Sequence, residues 1–223
     1  MTSIPAAPNG IKAFIDKRDI RQEPLGKYYL KTWNTYFADD EDFQNIVTQF
    51  PGPISRSVFA EIGKQGVNSA RQLFLATMLW GFGTIGYGAW RTMTKMLRTE
   101  NAIDQLKAAF QYIVDGRIAD AYCALHLERC GPAFMTKYLY GIGLSCQASP
   151  LPIILDSRVA GTLRRLLAAQ DVDHRSYFKL ASDGMVERDP DGLGYVKTVM
   201  LLNDWAAELG VRADDIEVFL FNQ

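Results

Sequence analysis

The sequence predicts an all-α protein. Apolar residues recur three and four apart in about nine segments, and no set of alternating runs supplies a sheet. A minor N-terminal strand pair is the most β structure the pattern allows. Composition agrees with a globular chain: of 223 residues 48% are hydrophobic and 22% charged, enough to bury a substantial core. The expected organisation is one domain over 1–223, with helical lobes over roughly 50–125 and 126–223 around a cleft and an N-terminal segment ahead of them.

Residues 1–24 read as a flexible start, because Pro5, Pro8, Asn9 and Gly10 punctuate them and 12–21 carry mixed charge without a long apolar stripe. The aromatic stretch 28–37 suits a short strand or a helix, and the acidic residues 39–42 a solvated turn. After Pro51, Gly52 and Pro53, segments 55–64 and 68–80 have helical periodicity. The second, with Leu73, Phe74, Leu75, Met78 and Leu79, is apolar enough to be a buried central helix. It runs into GFGTIGYGAWR, where Gly81, Gly83 and Gly86 spell G-x-G-x-x-G. A dinucleotide site needs a strand ahead of that motif, and a helix stands there instead. The stretch is better read as a glycine-rich bend at a cleft, with Gly86, Tyr87, Trp90 and Arg91 as candidate substrate contacts. Core packing is the simpler reading of Trp80, Phe82 and Trp90.

Asn101 and Asp104 open an amphipathic helix with Ile103, Leu106, Phe110 and Ile113 inward, ending at Gly116, and 118–127 is the next helix. His126 stands alone and reads as structural. Asp171, Asp173 and His174 lack a further ligand at a matching offset, and Met200 stands where a calcium loop begun at Asp189 needs its closing glutamate. No metal and no other cofactor is therefore expected. Leu193–Leu209 reads as a long helix with Val196, Val199, Met200 and Trp205 inward, and Asp214 with Glu217 as a capping-box start to a last apolar helix.

The chain is organised around residues 130–166. Gly131 and Pro132 mark a turn and a helix start. Phe134, Met135, Tyr138, Leu139 and Ile142 then form a packing face, with Lys137 at its edge and Gly141 one turn on, where a missing side chain leaves room around the amine. After SCQASPLP, an apolar run at 153–155 leads to Asp156, placed as the N-cap of a helix over 157–167. A lysine near a helix start, partly desolvated, can shed its proton near neutral pH and become an amine nucleophile, with a carboxylate to take or hold that proton. Singly, each residue reads as a surface lysine or an ordinary cap. Together, 19 residues apart (156 minus 137), they supply the two groups this chemistry needs.

These residues resemble the helix-hairpin-helix DNA glycosylases, above all the 8-oxoguanine (OGG-like) branch in its compact bacterial form. In that family a hairpin of form hGhG-T-K precedes a strand-like run ending in an aspartate that starts a helix. Thr136 and Lys137 match the T-K step and Asp156 the aspartate, at a separation that fits the family, while Ala133, Phe134 and Met135 stand where the family has its glycines. The stretch WGFGTIGYGAWR is also similar to one that compact members carry ahead of the hairpin. The resemblance implies a helix-hairpin-helix-like element and double-stranded DNA with a damaged or modified base as partner. It further implies base flipping, attack of Lys137 at C1′ assisted by Asp156, and AP-lyase activity beside base release. Alternatives are another modified guanine, a nucleoside or RNA as substrate, or a non-catalytic nucleic-acid or nucleotide-binding module. Antiviral defence is a further setting among relatives of this kind, with defence-operon proteins as partners.

A formal net charge of −1 is unusual for a DNA-binding chain, since phosphate contacts call for basic surface. The charge is unevenly spread. Over 129–165 the basic residues Arg129, Lys137, Arg158, Arg164 and Arg165 face Asp156 alone, which makes Arg158 a candidate substrate contact. Three cysteines without a CxxC argue against a disulfide framework, a zinc site or the four-cysteine iron–sulfur loop of some glycosylases. The first ten residues lack the features of a signal peptide and no run is apolar enough to cross a membrane, so the expected location is cytoplasmic, with no membrane partner.

Overall fold

Two almost wholly apolar helices form the centre of the molecule, and the rest of the chain is laid around them. The computed structural model describes residues 5–8, 10–17 and 25–223. Twelve α-helices stand among the described residues, in order α1 (Gly10–Lys17), α2 (Leu30–Phe37), α3 (Glu41–Gln49), α4 (Arg56–Gly63), α5 (Ala70–Phe82), α6 (Gly88–Arg91), α7 (Ala102–Val114), α8 (Ile118–Ala124), α9 (Pro132–Cys146), α10 (Ser157–Ala168), α11 (Leu193–Leu209) and α12 (Ala213–Phe221). The fold is all-α. The N-terminal strand pair reduces to a single bridge between Gly26 and Ile54, and a second isolated bridge joins Leu180 to Val186.

Helix α5 is buried along nearly its whole length, as its sequence requires, and it packs on α9, which is apolar on all sides too. Helices α4 and α7 complete the layer around α9. A second group joins α10, α11 and α12, with α1 laid on α12 and α8 reaching from α7 to α11. Gly141 lies where α9 crosses α5: a Cβ there would meet Thr77 and Leu73 at 3.1 and 3.4 Å. Close helix approach is what this glycine permits. Among the described residues no helix is long and apolar enough to cross a membrane.

Several elements differ from the sequence reading, each for a local reason. Residues 10–17 form a helix because Ile11 and Ile15, four apart, dock into the core, while residues 1–4, 9 and 18–24 of the expected flexible start lie outside those described. The aromatic stretch takes the helical one of its two expected forms, with Trp33 and Phe37 stacked and buried. The acidic turn is not merely solvated: Asp40 caps α3 through Phe43 N and, with Asp42, pairs with Arg71 on α5. Burial opposes the Asp40 charge, yet hydrogen bonds from Arg71 and Phe43 N outweigh it and hold its carboxyl below the ordinary value.

Helix α8 stops at Ala124, short of the expected 127. Met200, expected inward, faces out. The box that opens α12 is formed by Arg212 and Asp215, not by Asp214 and Glu217. Those two acids turn inward, Asp214 to the Tyr140 hydroxyl at 2.9 Å and Glu217 to Arg56.

Candidate active site

The site forms where the first turns of α9 meet the start of α10. Gly131 is the N-cap of α9 and Pro132 occupies its first position, where the missing N–H is no loss. Lys137 is 7% exposed, and its side chain folds back toward the helix start, so that Nζ donates to the Ala133 carbonyl at 2.9 Å. Nζ lies 5.9 Å from the centre of the Trp80 ring and 5.6 Å from that of Phe134. Asp156 is the N-cap of α10, and its Oδ1 accepts from Arg158 N at 3.1 Å and Val159 N at 3.0 Å. The other oxygen, Oδ2, is 3.7 Å from Lys137 Nζ. One carboxylate thus serves a helix with one oxygen and the lysine with the other.

A buried threonine sets the register between the two. Thr136 Oγ1 donates to the Pro132 carbonyl at 2.8 Å and accepts from Leu155 N at 3.0 Å, tying the residue before Lys137 to the residue before Asp156. The extended run leading to Asp156 is held from α11 as well. Tyr195 donates its hydroxyl to the Ile153 carbonyl at 2.8 Å, and Asn203 exchanges two 2.9 Å bonds with the backbone of Leu151. These bonds satisfy a stretch of backbone that neither helix nor sheet could pair.

Room for the amine comes from Gly81. A Cβ on Gly81 would lie 2.8 Å from Lys137 Cδ, whereas Gly141 abuts Thr77 and Leu73 and leaves no space at the amine. Burial pulls the Lys137 ammonium below its ordinary value of 10.5; Asp156 and Glu217 oppose the shift, and Arg56 adds to it. Burial likewise raises the Glu217 carboxyl, with Arg56 pulling the other way. The neighbouring Cys130 thiol is pushed up to about 12 by burial, so it stays protonated and is no nucleophile at neutral pH.

The bend after α5 contributes unequally. Phe82 is in the core, Trp80 is half-buried, and Trp90 is 42% exposed rather than packed inside. Tyr87 is 52% exposed, with the Arg91 guanidinium 5.1 Å over its ring and 6.0 Å over that of Phe82. Phe82 stacks on Phe134 at 4.3 Å, so Arg91 and Tyr87 connect through two rings to the surroundings of Lys137. Gly86 has open space around it and an ordinary backbone, so nothing there demands a glycine; the tight position is Gly88, where a Cβ would meet the Phe82 ring at 2.6 Å. Beside the start of α9 opens a cleft of about 410 Å³, lined by Arg91, Arg129, Ala133, Phe134, Met185 and Val186 among others. Arg158 is exposed and lies 5.0 Å over the Phe221 ring.

Sequence reasoning missed Gly81, Trp80, Arg56 and Glu217 around the amine. Only Glu217 carried a signal, an acid inside the apolar run IEVFLF that closes the chain. No curated protein and no solved structure matches this chain. The model of the family described as "Putative 8-oxoguanine DNA glycosylase OGG-like protein" matches residues 18–221, and with nearly the whole sequence matched the chain belongs to this OGG-like family.

Proposed function

We propose that the protein is a DNA glycosylase that flips an oxidised purine such as 8-oxoguanine out of duplex DNA and releases it by attack of Lys137 at C1′, with AP-lyase activity following from the same lysine. The observation that carries this reading is the buried Lys137 amine, drawn below its ordinary value and 3.7 Å from a carboxylate whose free oxygen faces it. Membership of the OGG-like family supports the reaction class.

In the proposed reaction the ammonium first passes a proton by way of the Asp156 carboxylate to water, leaving a neutral amine beside an ionised carboxylate. The amine forms a bond to C1′ as the glycosidic bond breaks and the base departs with its electron pair, taking a proton from water. The Asp156 charge stabilises the cationic sugar that develops between the two events. The bound nitrogen then gives up a proton and its lone pair expels O4′, which takes a proton up, so that the sugar opens to a Schiff base. The base enters from the side of Gly86, Tyr87 and Trp90, where exposed rings offer a stacking surface. Arg91 and Arg158 meet phosphates, Gly141 supports the lysine helix from behind, and the lobes over roughly 50–125 and 126–223 act as one domain in the cytoplasm.

A Schiff base between Lys137 and the sugar can be trapped by borohydride, whereas binding alone or hydrolysis by an activated water leaves no adduct. Incubation with duplexes carrying different damaged purines should give a covalent adduct with at least one of them, lost in Lys137→Ala. Base release at the original rate in that variant would show that the lysine is not the nucleophile. A second reading draws on the net charge of −1, low for a duplex-binding enzyme. On that reading the substrate is a free modified nucleoside or RNA, and turnover of those with no reaction on any duplex would favour it.

A further inference from the structure

Beside the lysine lies a second ion pair that the attack itself does not use. Arg56 on α4 is 6% exposed and Glu217 on α12 is 3% exposed, and their side chains are joined in a salt bridge. The Arg56 guanidinium lies 5.5 Å from the centre of the Trp80 ring, the ring over which Lys137 Nζ also lies at 5.9 Å. It also covers Tyr140 at 4.9 Å, and among the described residues its buried Nε has no hydrogen-bond partner. Burying such a pair in place of apolar side chains seldom adds stability, and a half-satisfied one is costly. Stability alone is thus a poor reason for this pair to stand here.

The charged and titratable groups around the amine come from several elements. Asp156 at the start of α10 lies 3.7 Å from it, Arg56 on α4 shares the Trp80 ring with it and binds Glu217 on α12, Cys130 stands just ahead of α9, and Tyr140, Asp214 and Arg212 are linked behind them. Two cations and two anions of this set, Arg56, Lys137, Asp156 and Glu217, are all largely withdrawn from water, where charges act on one another with little screening. We propose that Arg56 and Glu217 are positioning residues for Lys137, a mutually cancelling charge pair at the Trp80 ring, each member of which acts on the amine while their bond holds the sum near zero, so that burial and Asp156 decide when the amine becomes neutral. Glu217 holds the ammonium form, Arg56 opposes it, and their mutual bond fixes both in place. The proposal rests on the lysine being the nucleophile, but its test does not.

Protein labelled with 13C at lysine Cε is titrated by NMR without DNA, and the Lys137 signal is identified by its loss in Lys137→Met. In Glu217→Gln the amine keeps Arg56 beside it and loses an anion, so its midpoint should fall by about half a pH unit or more. The double variant Arg56→Met, Glu217→Gln leaves neither charge and should return close to the wild-type midpoint. An unmoved midpoint in Glu217→Gln, or a double variant that stays as low as the single, overturns the proposal. Should Glu217→Gln not fold, Arg56→Met decides, with an upward shift expected and an unmoved midpoint overturning it. Midpoints that move as stated while no damaged duplex traps the lysine would sink the glycosylase reading and leave the charge coupling standing without that catalytic role. Trapping with unmoved midpoints would do the reverse.

Discussion

At the scale of single residues, the pair legible in the sequence was Lys137 and Asp156, and the structure adds why they face each other. The Thr136 hydroxyl joins α9 to the run before Asp156, so that one buried side chain, with Tyr195 and Asn203 holding the run from α11, sets the distance between amine and carboxylate. Thr136→Val keeps the shape and leaves Leu155 N without its acceptor, which should cost about 1–3 kcal/mol in chemical denaturation. Adduct formation should fall further than that loss of stability explains. Dependence on pH follows from burial, which lowers the Lys137 midpoint from 10.5. Trapping should rise with pH as the amine becomes neutral and level off below the pH an exposed lysine would need. Asp156→Asn removes an anion that favours the ammonium, so the rising limb should move to lower pH. Its plateau should fall on the order of a hundredfold or more, because no carboxylate remains to handle the proton or the sugar cation. A limb that moves to higher pH would contradict the assigned electrostatics.

At the scale of elements, helices whose periodicity is local were legible and contacts between distant segments were not. Helix α11 runs over the expected residues because Gly192 and Gly210, both left-handed, bound it. The start of α12 was misread because Asp214 and Glu217 have capping-box spacing, while their partners Tyr140 and Arg56 lie 74 and 161 residues away. Spacing rules see three or four residues and say nothing about such partners. The same limit assigned the room around the amine to Gly141, a turn away on the same helix, when it belongs to Gly81 on α5. Two substitutions separate these roles. Gly81→Ala adds about 1 kcal/mol of helix propensity and presses on the Lys137 side chain, with Phe134 at an ordinary contact distance of 3.6 Å, so the fold should hold while trapping drops sharply. Gly141→Ala pushes into Thr77 and Leu73 across the α5–α9 contact and should lower stability by about 1–3 kcal/mol. Equal loss of stability in both would mean that Gly81 serves packing rather than the amine.

At the scale of the whole molecule, net charge and local charge point in different directions, and the local distribution bears on DNA. The chain totals −1, yet Arg91 and Arg129 line the cleft at the start of α9, and Arg158, Arg164 and Arg165 follow along α10. Among the described residues Arg164 is exposed and makes no ion pair, and Arg165 reaches Thr162 and the Gln223 carbonyl. Such side chains contribute little to folding, since exposed charges are screened, but each can displace a counterion from a phosphate. Duplex affinity should therefore fall steeply with added salt. Replacing Arg164 and Arg165 together by glutamate should flatten the logarithmic salt slope by about 2, near one for each lost phosphate contact. Thermal stability should hardly change. The rate at which trapped adduct forms at saturating duplex should be preserved as well, because neither arginine is part of the constellation at Lys137. A salt slope left unchanged by the double reversal would rule out a phosphate track along α10 and would point to the cleft side of α9, where Arg91 and Arg129 become the pair to reverse.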